Sequence, residues 1–318
     1  MRSALKYLSV FVMALIVIVA VLLALNWAPD RNAEELARRW APPPSEFMVL
    51  DGMAVHYRDQ GPEDADTTVV LLHGTSASLH TWDGWVDDLA TDYRVITLDL
   101  PGFGLTGPFV QHDDYSIVSY TDFMVAFLDA MELNQVVMGG NSFGGEVTWE
   151  TALVVPERIS AMILVDAAGY PLEAESMPLG FRIAQIPALS AVMNRVLPRG
   201  VIESSVRNVY GDPDLVTDEL VDRYYELTLR EGNRAALSAR FARVEWRDES
   251  GERVSTLMQP TLVMWGALDR LIPPSHAERF MRDLPDAELV MFETLGHVPQ
   301  EEAPAKTVAA VRDFLARQ

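Results

Sequence analysis

The chain has 318 residues, enough for one large domain or two ordinary ones, and its 49% apolar and 22% charged composition is that of a folded protein, which excludes disorder. A formal net charge of −21 without any cluster of Lys and Arg excludes nucleic acid as a partner, because phosphate binding rests on such clusters; the acidity reads first as a self-repelling surface. With no cysteine there is no disulfide, thiolate nucleophile or Cys-ligated metal.

In chain order, Tyr7 to Leu25 is uncharged and almost wholly apolar. As a helix rising about 1.5 Å per residue it would nearly cross a hydrocarbon core of about 30 Å. Arg2 and Lys6 precede it and Trp27 follows, where an interfacial aromatic belongs. The apolar region of a cleaved signal is shorter, about 7 to 15 residues, and ends in an Ala-x-Ala-like site. No such site lies between Leu25 and Asp30, so residues 1–28 are expected to be a retained transmembrane anchor. The Lys/Arg bias would then put the catalytic portion on the non-cytoplasmic side, with the lipid bilayer as a partner. Residues 29–45 read as a linker, in which Asp30 to Ala41 has the pattern of a short amphipathic helix and Pro42-Pro43-Pro44 that of a stiff spacer.

Residues 46–169 read as the first part of an α/β core. Phe47 to Leu50 and Met53 to Arg58 flank Asp51-Gly52, a two-residue hairpin signal. Thr67 to Leu72 and Arg94 to Leu98 are runs suited to strands buried on both faces. Thr81 to Ala90 and Ser116 to Met131 have helical spacing, the latter with Phe123, Phe127 and Met131 on one face. Ile159 to Val165, Thr261 to Trp265 and Glu288 to Phe292 continue the strands, and helical patterns over Ser275 to Leu284 and Pro304 to Ala316 follow the last two. The alternation predicts a doubly wound, mostly parallel sheet with ligand sites at the carboxyl ends of its strands. It stops over residues 170–259, where patterns such as Asp218 to Arg230 and Arg234 to Trp246 are broken by Pro178, Pro187, Pro198 and Gly211-Asp212-Pro213. Such an insertion reads as a helical cap over the carboxyl-end face, with a partner-binding domain as the alternative, and residues 260–318 complete the core.

Gly139-Gly140-Asn141-Ser142-Phe143-Gly144-Gly145 follows the apolar run Gln135 to Met138 and precedes a helical pattern over Glu146 to Val155. That order, strand, tight turn and helix, exposes Ser142 at the apex, and glycines at 140 and 144 let neighbouring backbone approach without a Cβ clash. Chance alone gives about 0.07 Gly-x-Ser-x-Gly patterns in such a chain, so the context decides. A serine nucleophile needs a base and an orienting acid at other strand ends. Taken singly, His56 in the hairpin, His80 and His112 in polar loops, His73 beside Gly74 and His276 at a helix start read as surface or structural histidines. His297 differs, because Leu295-Gly296-His297 directly follows the last strand. For the acid, Asp269 follows the preceding strand, with Asp166 as its competitor after Ile159 to Val165.

Residues from about Phe47 to Arg317 resemble the α/β-hydrolase fold superfamily, with its chain order of serine, acid and histidine. His73-Gly74, Asp99-Leu100-Pro101-Gly102-Phe103-Gly104, the Gly-Asn-Ser-Phe-Gly elbow, Gly266-Ala267-Leu268-Asp269 and Gly296-His297 carry the likeness. It implies Ser142 as nucleophile, His297 as general base and then acid, and Asp269 as the group that orients it, with Asp166 as a minority alternative. The backbone N–H groups of Phe143 and Thr75 would form the oxyanion hole, with Ser76 a substitute for the latter.

Haloalkane dehalogenases and epoxide hydrolases of this fold carry aspartate at the elbow, so a serine there implies acyl chemistry. Meta-cleavage carbon–carbon hydrolases share the Gly-Asn-Ser elbow and are the nearest rival. The expectation is a membrane-anchored serine esterase or lipase-like hydrolase acting on a small-molecule carboxylic ester with an apolar acyl group, with no metal or organic cofactor. Its alternatives are carbon–carbon cleavage of a vinylogous diketone and a non-catalytic, membrane-attached binding protein of the same fold. Met177, Phe181, Met193 and Trp246 are candidate acyl-pocket residues, although Met and aromatic residues at helical spacing are more often ordinary core.

Overall fold

Alternating β-branched and apolar runs place their side chains on both faces of an eight-stranded sheet. The computed structural model describes residues 2–186, 194–243 and 249–318, excepting the side chains of residues 2–5 and 8. Strands β1 (Glu46–Leu50) and β2 (Met53–Gln60) form the expected hairpin, with Asp51 and Gly52 both at positive φ in the turn. Next come β3 (Thr68–Leu72), β4 (Arg94–Leu98), β5 (Val136–Asn141), β6 (Ile159–Val165), β7 (Thr261–Gly266) and β8 (Ala287–Phe292). Their order across the sheet is β1-β2-β4-β3-β5-β6-β7-β8; β3 to β8 are parallel, and β2 pairs antiparallel with both β1 and β4. The sheet is therefore mixed rather than wholly parallel.

Each buried strand splits its residues between two cores, as the two-residue period of a strand requires. Val70, Leu72, Met138, Leu164 and Trp265 join one cluster with Phe123 and Phe127 of α4 (Ile117–Ala130) and Val147 of α5 (Phe143–Val154). Val69, Leu71, Val137, Ile163 and Met264 join the other, with Trp85 of α3 (Asp83–Leu89) and Val308 from the helix Pro304–Leu315. This two-sided burial explains why the central runs look continuously apolar in sequence.

Between β6 and β7 lie α6 (Leu179–Ala184), α7 (Arg199–Val209), α8 (Asp218–Thr228) and α9 (Asn233–Ala242), followed by a short helix over Ser250–Val254. The expected continuation of α9 to Trp246 lies outside the described residues. Val206, Tyr210, Val216 and Val221 of this insertion bury Val298, the neighbour of His297.

The N-terminal expectation is corrected. Residues 2–25 form helix α1 (Arg2–Leu25), yet among the described residues no helix is long and apolar enough to cross a membrane. The expected anchor over 1–28, the bilayer as a partner and the membrane location of the catalytic portion do not stand. Residues 26–41 instead strap onto the insertion. Asn26 and Ala28 exchange backbone hydrogen bonds with Leu197 and Arg195, and Arg31 does so with Leu229 and Glu231. The amphipathic helix forms as α2 (Ala33–Trp40), capped by Asn32 and burying Leu36 and Trp40 against Leu105 and Leu227.

Candidate active site

Ser142 stands between β5 and α5 with φ 56° and ψ −117°, a backbone state rarely adopted by a residue with a Cβ. Two glycines allow it. A Cβ on Gly140 would lie 2.2 Å from the Gly144 backbone, and one on Gly144 would lie 2.2 Å from the Leu72 carbonyl. The Ser142 N–H donates to Val165 O at 3.0 Å, and its carbonyl accepts from Ala168 N–H at 2.9 Å, so the turn is tied to the end of β6. Asn141, unnoticed as a site residue in the sequence, donates through Nδ2 to Val165 O at 3.1 Å and His297 O at 2.9 Å. It thereby joins the serine turn to the histidine loop.

His297 and Asp269 meet across the ends of β8 and β7. His297 Nδ1 lies 2.6 Å from Asp269 Oδ2, with both residues buried. Asp269 Oδ1 accepts the N–H groups of Leu271 and Ile272 at 2.8 and 3.0 Å, which fixes the carboxylate. With Nδ1–H donating to Asp269, Nε2 of His297 is left as an acceptor, and His297 lines the cavity beside Ser142. The histidine loop is also held by the insertion: His297 N–H donates to Val209 O at 2.8 Å, and Glu302 accepts from Gly296 and Gly211 N–H.

Asp166 lies beside this pair. Its φ is 44° and its Oδ1 accepts from Gly266 N–H at 3.0 Å. Ligand atoms of Asp166, Asp269 and His297 lie within 4.8 Å of one another. Burial, then the charge of Asp269, pushes the Asp166 carboxyl well above the usual carboxylate range. Ionisation of Asp166 is thus disfavoured next to the carboxylate that bonds His297.

On the opposite side, Thr75 follows His73-Gly74 at the end of β3, and Phe143 is the first residue of α5, where a helix leaves its N–H groups without intrahelical acceptors. His73 positions the Thr75 loop: Nδ1 donates to Gly74 O at 2.7 Å and Nε2 accepts Leu100 N–H at 3.0 Å. Burial lowers its pKa, in keeping with that neutral form. Asp99 accepts from Leu79 and Leu105 N–H and lies 2.7 Å from His56 Nδ1, which anchors the same region. His56 and His80 are therefore buried members of a network, His112 lies in an exposed turn, and His276 is buried in the helix Ser275–Asp283.

Thr75, Ser76, Ser142 and His297 open into one cavity walled by Phe181, Leu197, Ile202, Val206, Leu237 and Leu271. Phe181 lines it as expected, Met177 packs on the main core instead, and Met193 and Trp246 lie outside the described residues. Arg234 is a charged group in this wall; the sequence offered no periodic signal for it, since its ion partner is Asp30, in the strap.

The family described as alpha/beta hydrolase fold matches residues 67–304. The 2-hydroxy-6-oxo-2,4-heptadienoate hydrolase of Pseudomonas putida is 30% identical over 288 residues, covering 86% of this chain and 96% of that protein. An uncharacterized hydrolase of Bacillus subtilis is 28% identical over 275 residues, covering 86% of this chain and 98% of its own. The solved meta-cleavage product hydrolase of Pseudomonas fluorescens IP01 is 28% identical, with a TM-score of 0.73 over 86% of this chain and 97% of that one. The sheet order, the strained serine turn and these matches agree that the chain is a hydrolase and belongs to the alpha/beta hydrolase fold family.

Proposed function

We infer that this hydrolase cleaves carboxylic esters with an apolar acyl group through a covalent acyl-enzyme. The observation that carries the reading is the cavity itself, in which a largely apolar wall ends on Ser142 and His297. In this reading His297 Nε2 takes the proton from Ser142 Oγ as the oxygen attacks the ester carbonyl carbon. The oxyanion accepts hydrogen bonds from the Phe143 and Thr75 N–H groups. Collapse breaks the carbon–oxygen bond, and the imidazolium, steadied by Asp269, returns the proton to the departing alcohol. Water, deprotonated by His297, then attacks the acyl carbon, releases the carboxylic acid and restores Ser142.

Aryl esters of graded acyl length, assayed with the wild type and Ser142→Ala, test this. Turnover by the wild type alone, rising with acyl length and then falling, supports it, whereas a folded wild type inert on every ester overturns it.

Carbon–carbon hydrolysis is the second reading, favoured by the relative named as a heptadienoate hydrolase. A dienoate carries a carboxylate, which binds best beside an available cation. Arg234 in this cavity is already ion-paired with Asp30, which favours a neutral ester. A direct comparison of kcat/KM on a vinylogous diketone acid and on simple esters separates the two.

A further inference from the structure

Asp30 reaches the cavity wall from 204 positions away in sequence, with its carboxylate 2.5 Å from a guanidinium nitrogen of Arg234. Arg234 is 5% exposed and lines the cavity that holds Ser142 and His297, while Asp30 sits at the outer end of the pair. The strap holds Asp30 in place on both sides. Before it, Ala28 N–H donates to Arg195 O at 2.8 Å; after it, Arg31 N–H donates to Leu229 O at 2.7 Å. Backbone pairing over so short a segment leaves the carboxylate little choice of position.

A buried guanidinium beside a reactive serine would attract an anionic ligand, and a fixed carboxylate against it removes that attraction. We propose that Asp30 is a specificity-determining residue which, by neutralising Arg234, restricts the site to uncharged ligands; without it the same cavity takes carboxylates. The proposal rests on the ester reading only for the identity of the natural substrate, since the charge of the cavity is a property of binding.

The test therefore reads binding. Protection of Ser142 from a fluorophosphonate label is titrated with octanoate and with octanamide, in wild type, Asp30→Asn and Asp30→Asn/Arg234→Gln. Asn matches Asp in shape, so the strap is retained. Half-protection by octanoate is expected at a concentration at least about tenfold lower in Asp30→Asn, with octanamide unchanged and the gain lost in the double variant. Equal octanoate protection in wild type and Asp30→Asn overturns the proposal. Arg234→Gln, with Asp30 intact, supplies a second arm if Asp30→Asn does not fold: octylammonium is expected to protect at lower concentration than in wild type, and no change overturns the idea. An enzyme that labels but cleaves no ester would sink the ester reading while leaving these protection curves to decide the role of Asp30.

Discussion

Asp166 and Asp269 place two buried carboxyl groups side by side, and only Asp269 hydrogen-bonds His297, at 2.6 Å. Two adjacent buried carboxylates cannot both ionise cheaply, and burial with the charge of Asp269 pushes the Asp166 carboxyl well above the usual range. Asp269→Asn is expected to lower kcat by about 10³ to 10⁴, because the imidazole loses its orienting charge. Asp166→Asn is expected to stay within about tenfold of wild type, as the amide keeps the shape of a carboxyl whose ionisation burial already disfavours. Ester kinetics on the two variants check this, and the opposite ranking would exchange their roles.

The same shift has a signature in stability. A carboxyl whose folded pKa is raised stabilises fully below its unfolded value near 3.8, and that contribution is lost as pH rises toward the folded value. Asp166→Asn removes the titration, so its Tm relative to wild type should climb as pH rises from 4 upward. A constant difference across that range would show that Asp166 is ionised in the fold.

His80 behaves in the opposite sense. Burial, then the charge of Arg223, lowers its pKa from 6.5 to about 3, and its ring nitrogens engage Ser78 Oγ and Trp40 O at 3.0 and 2.8 Å. The unfolded chain takes up a proton that the folded chain refuses, so stability is complete above pH 6.5 and is lost as pH falls toward 3. The loss amounts to about 5 kcal/mol at its fullest. Chemical denaturation from pH 7 to 4 should show a shallower pH dependence in His80→Gln, and an unaltered slope would place the acid sensitivity elsewhere.

Gly144→Ala tests the serine turn. The new Cβ would lie 2.2 Å from the Leu72 carbonyl and 2.6 Å from that of His73, both backbone atoms of the strand end that carries the Thr75 loop. A loss of about 3 kcal/mol or more is expected, with fluorophosphonate labelling of any folded fraction slowed. A Tm within a few degrees of wild type would mean that the turn relaxes freely.

The strap makes its own prediction. Trp40 is buried, donates through Nε1 to Glu226 at 2.7 Å and offers its carbonyl to His80. Trp40→Ala is expected to lose about 3 kcal/mol. Limited proteolysis should then cut first within residues 26–45, whereas unchanged resistance there would show that the remaining backbone pairs suffice.

Strands, the hairpin turn and the serine turn were legible in the sequence because each is written locally. The continuous apolar runs of Thr68–Leu72 and Ile159–Val165, the Asp51-Gly52 pair and the spacing of Gly140 and Gly144 all act within a few residues of one another. The order of Ser142, Asp269 and His297 along the chain could be read in the same way, each following a recognisable strand. Tertiary structure alone decided which acid touches His297, because β6 and β7 are neighbours and Asp166 and Asp269 arrive at one place from two strand ends. It also decided that the segment after α1 straps the insertion, and that Asp30 meets Arg234. Apolar length in α1 suggested a membrane span, but hydropathy is a property of one segment taken alone. A pair 204 residues apart leaves no period in the sequence, and only the folded backbone brings its two charges to one wall of the cavity.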